Sequence, residues 1–574
     1  MCGIAGLFHA DVPKPVDPAR VEAMTNVLSH RGPDGSGVWT APGVGLGHRR
    51  LSIIDLEGGA QPMLTPDRRI AITYNGEIYN FREVRAELET NGHVFASESD
   101  TEVILAAWRQ WGRDCLTRLN GMFAFALYDA DRDSLFLARD RLGVKPLFYA
   151  ELSDGALIFA SELKGLLVHP RLRREVNPQA VEDYLAYGWV PDDCSIVAGV
   201  RKLAAGHSLL IRRGCPVPAP VQWWDVDFSN PSDKPPKALQ EELEERLRAA
   251  VRSRMVADVP LGAFLSGGVD SSAVVAFMAE ASRHAVETCS IGFDRADHDE
   301  TLYAAMVAER FATKHRSREV ASDDFSLIDT LADAFDEPFA DASAIGTYRV
   351  SELAVEKVKV ALSGDGADEI FAGYRRHAFY AAEERARSLL PDPLRRGAGA
   401  LGSVYPKLDW APRFLRARTT LQALGRAGEE AYADAVTATS FPIRSSFYRL
   451  HFTRILNGHR AERRYVETMR AAPAADALGR AQYADLKLWL PGDILTKVDR
   501  ASMAVSLEAR EPLLDHRLVE FAARLPLKLR QGKALMKKVL EPRLPAEILH
   551  RRKMGFVTPV SAWFRGPLRR EAEA

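Results

Sequence analysis

The sequence predicts a protein of mixed α/β and α+β class in two large domains: layered antiparallel sheets and helices first, then a doubly wound parallel α/β domain with a helical C-terminal extension. Three observations predict this. Residues 1 to about 210 are rich in short alternating segments, the pattern of half-buried strands. A proline-dense stretch interrupts them, and beyond it strands and helices alternate, the order that builds a parallel sheet. From Ala378 onward the pattern is almost all helical, with no obvious strand.

In chain order, Arg69–Tyr74 and Met122–Tyr128 read as strands, and the second turns at Asp129–Asp133 into Ser134–Ala138 as a hairpin. Helical patterns at Phe81–Thr90 and Thr101–Trp111 lie between them. The first domain is assigned to residues 1–213, a Pro-rich linker to 214–237 and the second domain to 238–574. Within the second, Leu239–Val256 is helical. Leu261–Leu265, Glu287–Phe293 and Val358–Leu362 read as strands, with helices at Ser271–Glu280 and Glu300–Ala312. The closing Leu568–Ala574 reads as a helix stopped midway, so the natural chain is expected to extend further.

Composition narrows the function classes. Apolar residues make up 47% and charged residues 27% of the 574, the balance of a globular protein with real cores. Lys plus Arg number 76 against 77 Asp plus Glu, so no net field exists to hold a polyanion, and neither nucleic acid nor a membrane is expected as partner. The cysteines at 2, 115, 194, 215 and 289 are far apart and include no C-x-x-C pair, which suits a reducing, cytoplasmic setting.

Cys2 stands directly behind the initiator Met. Removal of Met1 would leave a thiol beside its own α-amine, a base with a pKa near ~8 that can take the thiol proton. Asn75-Gly76-Glu77 follows the strand and is expected to end it and open a helix, with an amide and a backbone N–H placed for an oxyanion. An Asn-Gly pair is more often a plain turn. Arg50 could grip a carboxylate in a bidentate fork and Asp100 an ammonium, while each alone reads as a surface charge or helix cap.

The ordered set MCGIAG, SHRGPDGSG at 29–37, HRRLSIID at 48–55, YNGEIYN at 74–80, SDTEV at 99–103 and GMFAFALYD with LARDRLGVKPLFY resembles the glutaminase domain of the asparagine synthetase B family. The resemblance implies an αββα sandwich of N-terminal nucleophile type. It implies Cys2 as nucleophile and Asn75 and Gly76 as the oxyanion hole. Arg50, Leu51, Ser52, Ile53, Ile54, Asn75, Gly76, Glu77 and Asp100 are implied to surround glutamine.

A second constellation, Ser266-Gly267-Gly268-Val269-Asp270-Ser271-Ser272, lies between a strand and a helix, where glycines, hydroxyls and a helix N-terminus can cradle phosphate. Asp270 would repel that ligand unless a cation intervenes, most simply Mg²⁺. The spacing is not that of a kinase or ATPase P-loop. Another strand ends in Ser363-Gly364-Asp365-Gly366-Ala367-Asp368-Glu369, so two loops of one parallel sheet deliver acidic groups to its carboxyl edge.

SGGVDSS resembles the pyrophosphate motif of N-type ATP pyrophosphatases. SGDGADEIFAGY, DRASMAVSLEAREPLLD at 499–515 and RRKMGF at 551–556 resemble the synthetase domain of the same family. By that resemblance Leu265, Ser266, Gly267, Gly268, Asp270, Ser271, Ser272, Ile291, Ser363 and Gly364 contact ATP, and Asp270 and Asp368 hold Mg²⁺. Asp365 stands beside the activated acceptor, Lys553 acts on the pyrophosphate, and Lys537 is a further phosphate candidate. The expected activity is that of a glutamine-hydrolysing asparagine synthetase, with glutamine, ATP and an acceptor carboxylate, aspartate first, as small-molecule partners and a homodimer as the assembly considered. Asp365, Ala367 and the stretch Glu337–Ala344 depart from the family form, which keeps open an acceptor such as a sugar acid, a peptide carboxylate or another metabolite. A non-catalytic relative is disfavoured by Cys2, Asn75, Asp270, Asp368 and Lys553 occurring together, and a β-lactam synthetase-type enzyme by Cys2.

Overall fold

Alternating side chains become twelve strands before residue 223: β1 (Gly3–His9), β2 (Gly35–Ala41), β3 (Val44–Arg50), β4 (Met63–Leu64), β5 (Ile70–Ile78), β6 (Gly121–Asp129), β7 (Ser134–Arg139), β8 (Phe148–Glu151), β9 (Ala156–Ala160), β10 (Val200–Lys202), β11 (His207–Arg212) and β12 (Val221–Gln222). They form two antiparallel sheets, ordered β10-β8-β9-β1-β3-β2 and β12-β11-β7-β6-β5-β4. The computed structural model describes residues 1–293, 299–320, 327–406, 410, 412, 417–551, 558–566 and 568–573.

The two sheets face each other across a buried cluster that includes Ile4, Phe8, Val44 and Leu46 from one and Ala124, Leu135, Leu137 and Leu209 from the other. Period-2 alternation sends the remaining side chains to the outer faces. There Ala5, Leu7 and Ile158 cluster with Val21, Met24, Leu163 and Leu166 of the helices Pro18–Asn26 and Leu163–Leu167. Ile72, Tyr74 and Phe125 cluster with Val84, Val103 and Trp108 of Phe81–Thr90 and Asp100–Trp111. Four layers result: helix, sheet, sheet, helix.

The second domain carries β13 (Leu261–Phe264), β14 (Glu287–Phe293), β15 (Lys314–Val320), β16 (Val360–Leu362) and β17 (Glu508–Arg510), all parallel, in the order β15-β14-β13-β16-β17. Strand order runs outward in both directions from β13 and β16. The loops that leave these two strands therefore part at the switch point of the sheet, where a doubly wound fold opens a crevice.

Two expectations are corrected. Asn75, Gly76 and Glu77 do not end a strand: β5 runs on to Ile78, paired residue by residue with β6 as Asn75↔Ala124, Gly76↔Phe123 and Glu77↔Met122. Only glycine fits at 76, because a Cβ there would lie 2.1 Å from the Met122 carbonyl oxygen. The region beyond Ala378 does contain a strand, β17, too short and too charged to show a period. Within the segment assigned as linker, Val221–Gln222 joins the edge of the second sheet.

One apolar cluster crosses between the domains, holding Met1, Leu51, Ile53, Tyr79, Met122, Leu142 and Val144 of the first with Val360, Leu362, Met503, Leu513 and Leu514 of the second.

Candidate active sites

Cys2 is buried between β1 and the end of β5. Its backbone N–H donates to Asn75 Oδ1 at 2.8 Å, its carbonyl accepts from Arg31 Nε at 3.0 Å, and its Sγ lies 3.9 Å from the Leu51 carbonyl. Burial pushes the Cys2 thiol up, partly offset by the α-ammonium of the chain. Asn75 is fully buried, and its Nδ2 has no hydrogen-bond partner among the described residues. A donor held in place and left unfilled is what an oxyanion site requires.

Glu77 is buried in the same centre, with Oε2 facing Arg510 at 3.6 Å. Burial, and then the charge of Glu508, hold its carboxyl well above the usual carboxylate range. Asp100 heads the helix Asp100–Trp111, and its Oδ2 accepts from Tyr74 Oη at 2.8 Å and the Ile78 N–H at 3.0 Å. The Arg50 guanidinium is turned onto its own loop, donating to the Leu56, Ile54 and Asp55 carbonyls. Ser52 N–H donates to Asp34 and the Ile53 carbonyl accepts from Asp258, so the 50–55 loop is fastened from both domains.

The second centre is a cavity of about 310 Å³ at the switch point. Leu265, Ser266, Gly268, Asp270, Ser271, Ile291, Ser363, Gly364, Asp365 and Asp368 line it, together with Lys497, Lys533, Lys537 and Arg551. Gly267 and Ser272 do not. Gly267 has φ +68° and packs on the backbone of Tyr303 and Ala304, while Ser272 is turned into the core. The two loops touch: a Cβ on Gly364 would come 2.6 Å from the Ser271 nitrogen. Lys553 lies outside the described residues.

The family follows from the two halves together. Residues 1–224 match the family model described as glutamine amidotransferase domain, and residues 242–574 match the one described as asparagine synthase. The chain belongs to the asparagine synthase family. The asparagine synthetase (glutamine-hydrolyzing) 1 of Bacillus subtilis (strain 168) is 32% identical over 99% of this chain and 88% of its own, and number 3 of that strain is 32% identical over 96% and 86%. The amidase chry2 of Gibberella zeae is 27% identical over 100% of this chain and 91% of its own. This member of the asparagine synthase family is thus an ATP-dependent, glutamine-hydrolysing ligase of asparagine synthetase type, with glutamine, ATP and an acceptor carboxylate as substrates.

Several residues of this asparagine synthase-type site escape sequence reasoning. Lys533 Nζ sits between the two expected metal ligands, 2.5 Å from Asp270 Oδ2 and 2.8 Å from Asp368 Oδ1. Its one local signal is the Gly532-Lys533 pair before a helix, and Lys533 itself has φ +61°. Lys497 Nζ, also in the cavity, bonds Asp341 Oδ2 at 2.8 Å. Glu337, from the stretch that departs from the family form, instead bonds Lys202 at 2.7 Å and Ser195 of the first domain. Arg31 joins Cys2 to Asp499 of the second domain through bonds of 2.8 and 2.9 Å.

Among the described residues, no helix is long and apolar enough to cross a membrane. All five cysteines are free thiols.

Proposed function

We propose that the enzyme is a glutamine-hydrolysing asparagine synthetase acting in the cytoplasm, with its glutaminase centre at Cys2 in residues 1–213 and its synthetase centre in 238–574. Once Met1 is absent, the Cys2 α-amine takes the thiol proton, and the thiolate attacks the glutamine amide carbon. Asn75 Nδ2 and the Gly76 backbone receive the oxyanion. Collapse forms the thioester and expels ammonia, which carries away the proton, and water then releases glutamate. Glu77 and Asp100 face the substrate ammonium, and Arg50 its carboxylate once the guanidinium leaves the 54–56 carbonyls.

At the synthetase centre the acceptor carboxylate attacks the α-phosphorus of ATP, pyrophosphate leaves, and ammonia displaces AMP from the acyl adenylate. Asp270 and Asp368 fit Mg²⁺, because two carboxylates already converge on one cationic group, the Lys533 ammonium. When bound, the ion would neutralise charge on the phosphate oxygens. Lys533, Lys537 and Arg551 supply further positive charge in the cavity, and Lys553 is retained as the residue over the leaving pyrophosphate.

The observation that carries aspartate as acceptor is that one buried cation, Lys497, held by Asp341, and one acid, Asp365, both line the cavity that holds the phosphate loop. A zwitterionic acceptor finds an opposite charge for each end. Purified enzyme given glutamine, ATP, Mg²⁺ and aspartate should form asparagine, AMP and pyrophosphate together, and omission of aspartate should remove all three. A second reading, another carboxylate on the same machinery, is favoured by the departures at Asp365, Ala367 and Glu337–Ala344 and by the likeness to the amidase chry2. It prevails if a different acid, and not aspartate, stimulates pyrophosphate release.

A further inference from the structure

The synthetase domain reaches into the glutaminase centre through one side chain. Glu508 begins β17 and is fully buried, and its carboxylate receives the α-ammonium of Met1 on Oε2 and Arg510 Nε on Oε1 at 2.6 Å. Burial pushes this carboxyl up, while the Met1 α-ammonium and then the Arg510 guanidinium pull it down, to about 2 with Met1 in place. Met1 is itself buried, in the apolar cluster that spans the two domains with Leu51, Met122, Leu142 and Val144.

A Cys2 with a free amine requires that Met1 be gone. Its removal leaves a space that starts at the Cys2 nitrogen, is walled by apolar side chains, and ends at the Glu508 carboxylate, on which a primary ammonium sits in this structure. Ammonia expelled at Cys2 has the same N–H donors and is smaller.

The far end of β17 touches the other centre. Glu508 pairs with Val360, and two residues on, the Arg510 carbonyl accepts the Ser363 N–H at 2.8 Å, with Ser363 lining the ATP cavity. Two residues of strand span only about 7 Å.

We propose that Glu508 is a binding site for ammonia between the two reactions, taking N–H bonds from the molecule released at Cys2 before it reaches the acyl adenylate. This rests on the reading of Cys2 and the ATP cavity as the two centres. A purely apolar passage would leave ammonia without a partner, at a cost of roughly 2–7 kcal/mol for an unpaired polar group. A lone buried carboxylate would hold ammonium too firmly. Arg510, bonded to Glu508 and 3.6 Å from Glu77, offsets the charge and keeps the hold loose.

The test uses the full chain, glutamine labelled with ¹⁵N in its amide, ATP, Mg²⁺, the acceptor identified by the pyrophosphate assay, and unlabelled ammonium chloride in excess. Wild type should put mostly ¹⁵N into the product amide and make glutamate and pyrophosphate in near-equal amounts. Glu508→Gln should shift the ¹⁵N-to-¹⁴N ratio of the product on the order of tenfold toward unlabelled ammonia, the worth of one hydrogen bond to a charged group. Glutamate should rise relative to pyrophosphate. Because Glu508→Gln strands the Arg510 charge, the double variant Glu508→Gln, Arg510→Gln, neutral at both positions, is measured beside it and should show the same shift. An unchanged isotope ratio in whichever variant folds overturns the proposal. Absence of glutamate from wild type would instead overturn the reading of Cys2, and absence of pyrophosphate the reading of the ATP cavity.

Discussion

Replacing Asn75 by alanine should separate chemistry from folding at the glutaminase centre. The side chain plays two parts: Oδ1 accepts the Cys2 N–H at 2.8 Å, while Nδ2 is buried without a partner among the described residues. Losing the first leaves the buried Cys2 N–H without its acceptor, at about 1–3 kcal/mol, and losing the second removes a like penalty of about 1–3 kcal/mol for a buried unpaired donor, so the two terms oppose. The unfolding free energy of Asn75→Ala should therefore stay within about 2 kcal/mol of wild type by the same reckoning. The rate should not stay close. Loss of one oxyanion donor costs about 10²–10³ in kcat, or roughly 2.7–4 kcal/mol of transition-state stabilisation. Glutamate release under saturating glutamine measures kcat, a thermal melt measures stability, and pyrophosphate release driven by added ammonia checks the second centre. A kcat within about threefold of wild type, far from the loss expected of an oxyanion donor, would refute the argument. So would an equal loss of ammonia-driven synthesis.

Cys2→Ala should abolish glutamine hydrolysis and leave synthesis from added ammonia; hydrolysis at the wild-type rate would point to another nucleophile. Asp270→Asn or Asp368→Asn should eliminate ATP-dependent pyrophosphate formation while glutamate release persists, and loss of both activities would show a structural role instead. Lys533→Met should tighten Mg²⁺ binding in calorimetry, because the ammonium no longer competes for the two carboxylates, and should slow pyrophosphate release at least about tenfold through lost phosphate stabilisation. Unchanged Mg²⁺ binding would exclude that competition. His48 is buried, and burial followed by the Arg50 charge lowers it from 6.5 to about 3. The unfolded chain takes up this proton first, so stability should fall as pH drops from 6.5 toward 3, by up to about 1.4 kcal/mol per pH unit for this one group. His48→Gln should flatten that slope in denaturant titrations, and an equal slope would contradict the assignment.

What could be read without coordinates was what local chemistry and periodicity carry. The strands Glu287–Phe293 and Ser134–Arg139 and the helices Phe81–Thr90 and Asp100–Trp111 stand where their periods put them, within a residue or so. Both glycine loops at the sheet edge were legible because a strand, a turn and a helix N-terminus follow one another in the chain. Asn75 was legible as a residue but not in its conformation: an Asn-Gly pair normally turns the chain, and here the ladder to β6 overrides that preference. Lys533 carried almost no signal, since its partners lie 263 and 165 residues away and its placement depends on a left-handed backbone at Gly532 and Lys533. β17 was invisible for a further reason. Glu508 and Arg510 have the composition of an exposed segment, and their burial is made tolerable by partners distant in the chain, the Met1 α-ammonium for Glu508 and the Arg254 and Val256 carbonyls for Arg510, beside their bond to each other.

The charges buried between the domains do not make good sense as sources of stability. Arg31 is fully buried and divides its guanidinium between Glu162 at 2.7 Å and Asp499 at 2.8 Å, while Arg500, next to Asp499 in the chain, bonds the same Glu162 at 2.6 Å. Desolvating such groups costs several kcal/mol per ion, and apolar replacements of equal volume are often neutral or stabilising by about 1–4 kcal/mol. What an apolar interface would lack is register. Leu and Met side chains slide, whereas a forked Arg31 bonded to Asp499 by both terminal nitrogens has one low-energy position. Because the same Arg31 holds the Cys2 carbonyl, and Asp499 lies two residues from Lys497 on one helix, that position fixes Cys2 of the first domain against a cavity cation of the second. A passage for a molecule as small as ammonia needs that fixity more than it needs a larger interface, since a slip of one side-chain width would open it to water.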